Sequence, residues 1–166
     1  MSLAQKLVSD FEKENTRTKH VLEAVPEDKL DFKPHEKSMS LGELAGHLAE
    51  TPMWGGSMME DVMDFAEMPD YKPYVVTNKA EMMGTLDKNA SAFLEMMKDR
   101  DDAFMEATWT MKMGDKVLMS DPRHEAMRDI LVHHSVHHRG QLTVYLRLLG
   151  VPVPATYGGT ADHPML

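Results

Sequence analysis

The feature of this sequence that points most directly to chemistry is a group of four histidines within six residues. They are His133, His134, His137 and His138, out of nine histidines in a chain of 166 residues. On an α-helix, residues four positions apart lie about one turn apart on one face, so two histidines at that spacing can bind one metal ion. Two such pairs are available, His133 with His137 and His134 with His138. The pattern therefore predicts part of a metal site on a helix.

The apolar residues of the same helix indicate which pair faces the interior. Continued along the helix, one pair gives the stripe Ile130, His133, His137, Gln141, Val144 and Leu148. The other pair gives the stripe Leu131, His134, His138, Leu142, Tyr145 and Leu149. Because only the first stripe is interrupted by a further polar residue, Gln141, the pattern favours His134 and His138 as the inward pair. The other pair remains open on the pattern alone.

A third ligand must come from another helix, because a catalytic zinc or nickel site commonly uses three protein groups and leaves a position open. His47 is the best candidate, since it lies beside the apolar stripe of a predicted helix. His20, near a helix end, and His35, in a loop, are weaker candidates. His124 lies too far along the helix axis from His134 to share a site with it.

The histidines also allow an interpretation without a metal. A single histidine such as His47 on an apolar face is more often a hydrogen-bonded core residue, and adjacent histidines can form a solvated face. Taken together they favour a metal, because several buried imidazoles without one leave many donors and acceptors to satisfy. Ser135 lies among the histidines, but no Gly-x-Ser-x-Gly motif surrounds it, which argues against a serine hydrolase.

Composition narrows the remaining chemistry. The chain has no cysteine, which excludes disulfides, iron–sulfur clusters, thiolate zinc sites and a cysteine nucleophile. Eighteen Lys plus Arg against 27 Asp plus Glu give a formal charge of −9, and the interleaving of the two signs argues against a nucleic-acid partner. The 17 methionines favour flexible core packing over a thioether site for Cu(I). No apolar stretch has the length of a signal peptide or membrane span, so we expect a cytoplasmic protein without a membrane partner.

Helical periodicity dominates the chain, and proline or glycine marks most of its breaks. The period predicts a first helix over residues 2–24 and an ordered loop over 26–38. Ser40-Leu41-Gly42-Glu43 matches a capping box, in which the serine and glutamate side chains each accept a hydrogen bond from the otherwise free backbone N–H of the other residue. A second helix is therefore expected to begin at Leu41, with Pro52 as a kink or restart.

The second half of the chain contains two further long helical patterns. A break around residues 68–73 precedes a third helix, expected from Asn78 to Arg100. The helical period is then lost, and Trp109 to Val117 can form a short extended segment. Asp121-Pro122 predicts the start of the fourth helix, because aspartate accepts an N-cap hydrogen bond and proline suits the first helical position.

The fourth helix is expected to end at Leu149, before Gly150, and the tail over residues 151–166 is expected to be extended. Four long amphipathic helices with long connections and an extended C-terminal tail predict an all-α fold, a four-helix bundle. At this chain length we expect a single domain over residues 1–166.

The fourth helix also carries a motif that resembles a known family. The segment His134-Ser135-Val136-His137-His138-Arg139-Gly140-Gln141 is similar to the H-x-x-x-H-R-G-Q signature of the DinB-like (YfiT-like) metal-dependent proteins. The segment from Ser40 to His47, the loop from Leu30 to Pro34 and the tail from Leu149 to Gly158 are similar as well. The resemblance therefore touches most of the chain, and the motif of the fourth helix is its most specific part.

The resemblance implies a four-helix bundle with a three-histidine site for a divalent metal, often zinc or nickel, and a homodimer. By position, the implied ligands are His47, His134 and His138, which agrees with the register that the apolar stripe favours. Better characterised relatives transfer low-molecular-weight thiols such as bacillithiol, mycothiol or glutathione, or isomerise maleylpyruvate with one. Many members have no assigned reaction.

The leading hypothesis for the function is a metal-dependent transferase of a small thiol, or a related hydrolase. The metal would lower the pKa of a thiol that arrives as co-substrate, which fits a chain without cysteine. Gln141, Glu43 and Glu50 are candidates to orient a ligand imidazole, whereas Arg139 is expected to be solvated unless it holds an acidic group of the thiol. The alternatives are a non-catalytic, stress-associated metal-binding protein and a bundle whose histidines are merely structural.

Overall fold

The computed structural model describes residues 1–164, and most of its elements are helices. The first half contains α1 (Leu3–Glu23), α2 (Leu41–Glu50), α3 (Trp54–Ser57) and β1 (Val62–Asp64). The second half contains α4 (Lys79–Met97), α5 (Asp102–Glu106), β2 (Thr108–Met113), β3 (Lys116–Pro122), α6 (Arg123–Met127) and α7 (His134–Leu148). Short 3₁₀ turns lie at Glu27–Lys29, Thr51–Met53 and Phe65–Glu67, and a π-helical segment at Arg128–His133 joins α6 to α7.

The long helices pack as a four-helix bundle. Helix α1 contacts α4 and α7, and α2 contacts the same two helices. Consecutive long helices α1 and α2 therefore lie at opposite corners of the bundle, with α4 and α7 between them. Within residues 1–164, none of the helices combines the length and hydrophobicity that a transmembrane span requires.

The second helix begins where the capping box places it. The Ser40 hydroxyl accepts a hydrogen bond from the backbone N–H of Glu43 at 3.1 Å, and the Glu43 carboxylate accepts one from the backbone N–H of Ser40 at 2.5 Å. Helix α2 then spans ten residues, and the 3₁₀ turn that contains Pro52 separates it from α3. The predicted restart at Pro52 is confirmed.

A three-stranded sheet corrects the expectation of an all-α protein. Strands β2 and β3 form an antiparallel hairpin, and β1 pairs with β2 in parallel. The extended segment expected from Trp109 to Val117 is thus part of a longer hairpin, whose turn contains Gly114 at a φ of +58°. Strand β3 was hard to predict because most of its side chains are exposed and no apolar face marks it.

The expected helix start, with Asp121 as N-cap and Pro122 as the first helical residue, is wrong by one residue and in its cap. Asp121 lies in β3, where it pairs with Trp109, and Pro122 is the last residue of that strand. Helix α6 begins at Arg123 without a side-chain cap, and the backbone N–H of Arg123 donates to the carbonyl of Ala107 at 2.9 Å. Hydrogen bonds to the preceding strand region therefore take the place of the N-cap that the sequence pattern predicts.

Two further boundaries differ from the expectation. The third long helix, α4, ends at Met97 rather than Arg100, and Asp101 caps the short helix α5 that the periodicity did not reveal. The tail has neither helix nor strand over residues 151–164, and it turns back so that the N–H of Val153 donates to Asp162 at 2.9 Å. The last part of the predicted extended tail, residues 165–166, lies outside the described residues.

Candidate metal centre

Three histidines from two helices meet inside the bundle. His47 lies on α2, and His134 and His138 lie one turn apart on α7. The Nε2 atoms of His47 and His134 are 2.7 Å apart, and one ring nitrogen from each of the three residues lies within 4.8 Å of the others. The structure thus brings together the three residues that the sequence singled out.

The register of the last helix follows the apolar stripe. Leu131, Leu142 and Tyr145 are buried, and His134 and His138 are partly buried on the same face. The π-helical segment ends just before His134. Its wider turn is shown by the N–H of His134, which donates to the carbonyl of Asp129 five residues earlier. The sequence did not reveal this wider turn.

The other histidines of the four-histidine group lie outside the cluster. The side chain of His133 is 62% exposed, and its Nδ1 lies 2.8 Å from the carboxylate of Asp129. His137 is also exposed. The alternative pair of His133 and His137 therefore does not face the interior.

The weaker candidates are also absent from the cluster. His20 is exposed near the end of α1, and His35 is exposed in a loop, where its Nδ1 accepts from the N–H of Lys37. His124 lies in the first turn of α6, as expected too far from His134 to join it.

Burial keeps the three imidazoles neutral. Desolvation, followed by the charges of neighbouring histidines, lowers the pKa of His134 from its ordinary 6.5 to about 4. Desolvation also lowers the pKa of His47, although the Glu50 carboxylate acts in the opposite direction. The pKa of His138 is lowered by desolvation against the opposing hydrogen bond to Gln141. Near pH 7 each ring therefore offers a lone pair, the form in which imidazole binds a metal.

One of the three residues proposed to orient an imidazole does so. The Nδ1 of His138 lies 2.7 Å from the side-chain oxygen of Gln141. Because an amide oxygen only accepts, Nδ1 carries the hydrogen and the lone pair of His138 is on Nε2.

The two glutamates proposed for the same task have other partners. Glu43 is bound in the capping box and lies 3.5 Å from the Lys33 ammonium. Glu50 is 3% exposed and accepts from the Tyr71 hydroxyl and from the backbone N–H of Tyr74, the latter at 2.7 Å. Glu50 therefore fixes the segment that follows the short β1 strand rather than a ligand ring.

A glycine allows that segment to approach α2. A Cβ at Gly46 would overlap the backbone carbonyl oxygen of Tyr74, so only glycine fits beside His47 at this point. The close approach, together with the hydrogen bonds of Glu50, places Tyr71 and Pro73 next to the histidines.

A cavity of about 570 Å³ adjoins the cluster. Its lining includes His47 and His134, and most of the remaining lining is apolar. The apolar lining residues are Met39, Trp54, Met58, Met63, Phe65, Pro73, Trp109, Met111, Met119 and Ile130. Tyr71, Thr51, Ser57 and Asp129 complete it. The sequence pattern does not predict this cavity, although the two-residue spacing of Trp109 and Met111 is a signal for its sheet side.

The expectation of a solvated Arg139 is wrong. Its side chain is 2% exposed, and its guanidinium donates to the carboxylate of Glu14 at 2.5 Å, to the Thr18 hydroxyl and to the Tyr157 hydroxyl. Arg139 therefore joins α7 to α1 and to the C-terminal tail, and it is not available to a ligand in the cavity.

Comparison with known proteins places this geometry in a family. The model of the DinB family matches residues 1–164. The chain belongs to the DinB family. The Bacillus subtilis protein YjoA is 24% identical over 150 residues, which cover 90% of this chain and 93% of YjoA.

Solved structures of DinB-like proteins have the same fold. A DinB-like protein from Bacillus cereus superposes with a TM-score of 0.69 at 21% identity, covering 92% of this chain and 97% of its own. YfiT from Bacillus subtilis, a probable metal-dependent hydrolase with an unusual four-helix bundle topology, superposes with a TM-score of 0.64 at 16% identity. That match covers 89% of this chain and 87% of YfiT. At these identities the likeness establishes the DinB fold.

Proposed function

We propose that this DinB protein is a metal-dependent hydrolase whose divalent ion is bound by His47, His134 and His138. The observation that carries the proposal is the meeting of three neutral imidazoles beside a cavity large enough for a small molecule. Its volume lies within the range of roughly 300–1,000 Å³ that is usual for ligand sites. The description of YfiT as a probable metal-dependent hydrolase supports the same assignment.

The donor set fits a borderline transition metal. Three imidazoles without a carboxylate suit zinc or nickel, whereas magnesium and calcium prefer oxygen ligands. When bound, such an ion supplies Lewis-acid chemistry to a water or thiol nucleophile and to the substrate.

The protein contributes orientation and exclusion of water. Gln141 holds the Nδ1 hydrogen of His138, so that the other nitrogen of this ring is free to bind the ion. The apolar lining displaces water from the cavity and thereby strengthens electrostatic interactions there. Thr51, Ser57 and Asp129 supply the few polar groups that can orient a substrate.

Transfer of a low-molecular-weight thiol is the second candidate. The absence of cysteine favours it, because the chain has no thiol nucleophile of its own. However, none of the described residues that line the cavity is a lysine or arginine, and Arg139 is bound to Glu14. Apart from the ion, which would bind the sulfur, the carboxylates of a thiol such as glutathione would find no cationic partner in the cavity, so we rank hydrolysis first. The cavity beside the histidines favours either reaction over a purely metal-binding role.

One assay series separates the candidates. The purified chain is depleted of metal with a chelator, reloaded with Zn²⁺ or Ni²⁺, and assayed on uncharged nitrophenyl esters and, separately, on monochlorobimane with glutathione. We expect ester hydrolysis that requires the metal, that is lost in His138→Ala, and that is retained in His137→Ala. Thiol consumption without hydrolysis would favour the second candidate. Ester and thiol turnover that are both insensitive to metal and to His138→Ala would contradict the proposal.

A further inference from the structure

The cavity beside the histidines has an aromatic and thioether lining. The rings of Trp54 and Tyr71 pack edge to face with centroids 5.0 Å apart, and Phe65 lies 6.1 Å from Trp54 on another side. Trp109 is fully buried, and its indole N–H points to the carbonyl of Ser57 at 3.4 Å. The polar groups of Trp109 and Tyr71 are occupied by the Ser57 carbonyl and the Glu50 carboxylate, so these two rings present mainly carbon surface to the cavity.

Methionines form much of the remaining surface. Met111 and Met119 are partners across the hairpin, and both contribute to the lining with Met39, Met58 and Met63. Thioether side chains are flexible and polarisable, so they adapt to flat aromatic and to branched alkyl groups. The sheet that was missing from the predicted fold thus supplies one side of the cavity.

Among the described residues that line the cavity, no lysine or arginine offers a cationic side chain to an anion. Asp129 is the one carboxylic acid among the described residues that line the cavity. Glu50 lies buried behind Tyr71, where it accepts the tyrosine hydroxyl hydrogen. The arginine of the family motif, Arg139, is paired with Glu14, and the buried Arg123, which donates to the carbonyl of Met58, is paired with Asp61. An anionic group placed in this cavity away from the metal would lose its water without gaining a cationic side chain as partner.

From this arrangement we infer that the cavity selects an uncharged substrate with an aromatic or alkyl body, placed with its reactive polar group toward His47 and His134. The inference rests on the proposed function, since it takes the molecule bound in the cavity to be the substrate. It adds the substrate class: a neutral apolar molecule, with anionic analogues excluded by the protein rather than by the metal.

A pair of fluorescent probes tests the charge selection directly. N-phenyl-1-naphthylamine is neutral, and 8-anilino-1-naphthalenesulfonate has the same rings with one added sulfonate. Both tryptophans of the chain, Trp54 and Trp109, line the cavity, so quenching of their emission with sensitised probe emission reports occupancy. The full chain is titrated with each probe, with Zn²⁺ and again with a chelator.

We expect the neutral probe to bind at least about tenfold more tightly than the sulfonate in the chelated protein, which is the condition that decides the test. Bound Zn²⁺ adds positive charge beside His47 and His134 and should narrow the difference. A factor of ten corresponds to about 1.4 kcal/mol, a modest cost for desolvating an unpaired anion. Equal binding of the two probes, tighter binding of the sulfonate, or no binding of the neutral probe would overturn the inference. Binding of the neutral probe to the chelated protein does not depend on a metal. A failure of the charge selection can therefore be distinguished from a failure of the metal assignment.

A charge placed in the lining should reverse the preference. Met119→Arg introduces a cation on the sheet side, and we expect it to strengthen sulfonate binding and weaken binding of the neutral probe. Val117→Arg is the matched control, since Val117 lies on the same strand, is 57% exposed and is not among the lining residues. Met39→Arg is a second variant at a lining position that is 36% exposed and tolerates a charge more readily. If both lining variants behave like the control, the probe binds elsewhere and the inference fails.

Discussion

The Nε2 atoms of His47 and His134 lie 2.7 Å apart, although the residues are 87 positions apart in the chain. Their rings are neutral near pH 7 because burial lowers the pKa of both. Two lone pairs at this distance repel each other unless a proton or a cation lies between them. His138 offers a third ring nitrogen close to the other two. One divalent ion bound by all three rings would remove this repulsion.

The hydrogen bond between Gln141 and His138 should contribute to metal affinity. Gln141→Leu removes the oxygen that holds the Nδ1 hydrogen, and we expect zinc affinity to fall by about 10- to 100-fold, as is common when such a partner is lost. Gln141→Glu keeps an acceptor and should retain or increase the affinity. Competition with a chromophoric chelator measures both. Equal affinity of Gln141→Leu and the unmodified protein would show that the hydrogen bond does not orient the ring.

Acid should destabilise the metal-free protein through the buried imidazoles. The pKa of His134 is about 4 in the folded chain against an ordinary value of 6.5. Between these values the unfolded chain takes up a proton that the folded chain does not, so the free energy of unfolding falls as the pH falls from 6.5 toward 4. Urea unfolding in the presence of a chelator measures this slope. In His134→Gln the slope should be shallower, and an unchanged slope would argue against a neutral buried His134.

The buried Arg139 should be important for stability rather than for ligand binding. Arg139→Met removes the buried partner of Glu14, which keeps Arg17 and the Tyr157 hydroxyl, and we expect a loss of about 1–3 kcal/mol in the free energy of unfolding. The control is Arg147→Met, because Arg147 is 49% exposed and solvent screens its ion pair with Asp162, so we expect a much smaller loss. Urea unfolding of the two variants provides the comparison. Similar losses in both would mean that the Arg139 network contributes little.

The close approach at Gly46 gives a prediction about the side of the cavity formed by Tyr71 and Pro73. Gly46→Ala forces the segment near Tyr74 away from α2, and we expect a destabilisation of about 1–3 kcal/mol with weaker probe binding. Gly84→Ala is the matched control, since Gly84 lies within α4 with open space around it and should be neutral or more stable by up to about 1 kcal/mol. Thermal unfolding separates the two. A neutral Gly46→Ala would show that the segment moves at little cost.

The parts of the site that could be predicted from sequence are those with local signals. The spacing of His134 and His138 and the apolar stripe around them are properties of one helix, and the capping box at Ser40 marks the start of another. The burial of Arg139 was not predictable in this way, because its partner Glu14 lies 125 positions earlier in the chain. The Asp121-Pro122 signal failed for a different reason, since strand pairing of Asp121 with Trp109 across the hairpin replaced the N-cap.

The cavity was the least predictable feature. Its lining comes from α2, α3, the sheet, the segment around Tyr71 and the π-helical segment, and no single stretch of sequence contains its pattern. Strand β3 exposes Val117 and Leu118, so its alternation does not indicate which side is covered. The three candidate metal-binding histidines could therefore be predicted from the sequence, whereas the cavity for a substrate depends on tertiary packing.

The metal content of single-histidine variants tests the central claim most directly. The unmodified protein and five variants are purified without a histidine affinity tag and equilibrated with excess Zn²⁺. After desalting, mass spectrometry measures the metal bound per chain. We predict one tightly bound ion per chain in the unmodified protein, in His133→Ala and in His137→Ala, and its loss in His47→Ala, His134→Ala and His138→Ala. An unmodified protein without bound metal, or variants of the three clustered histidines that retain it, would contradict the account.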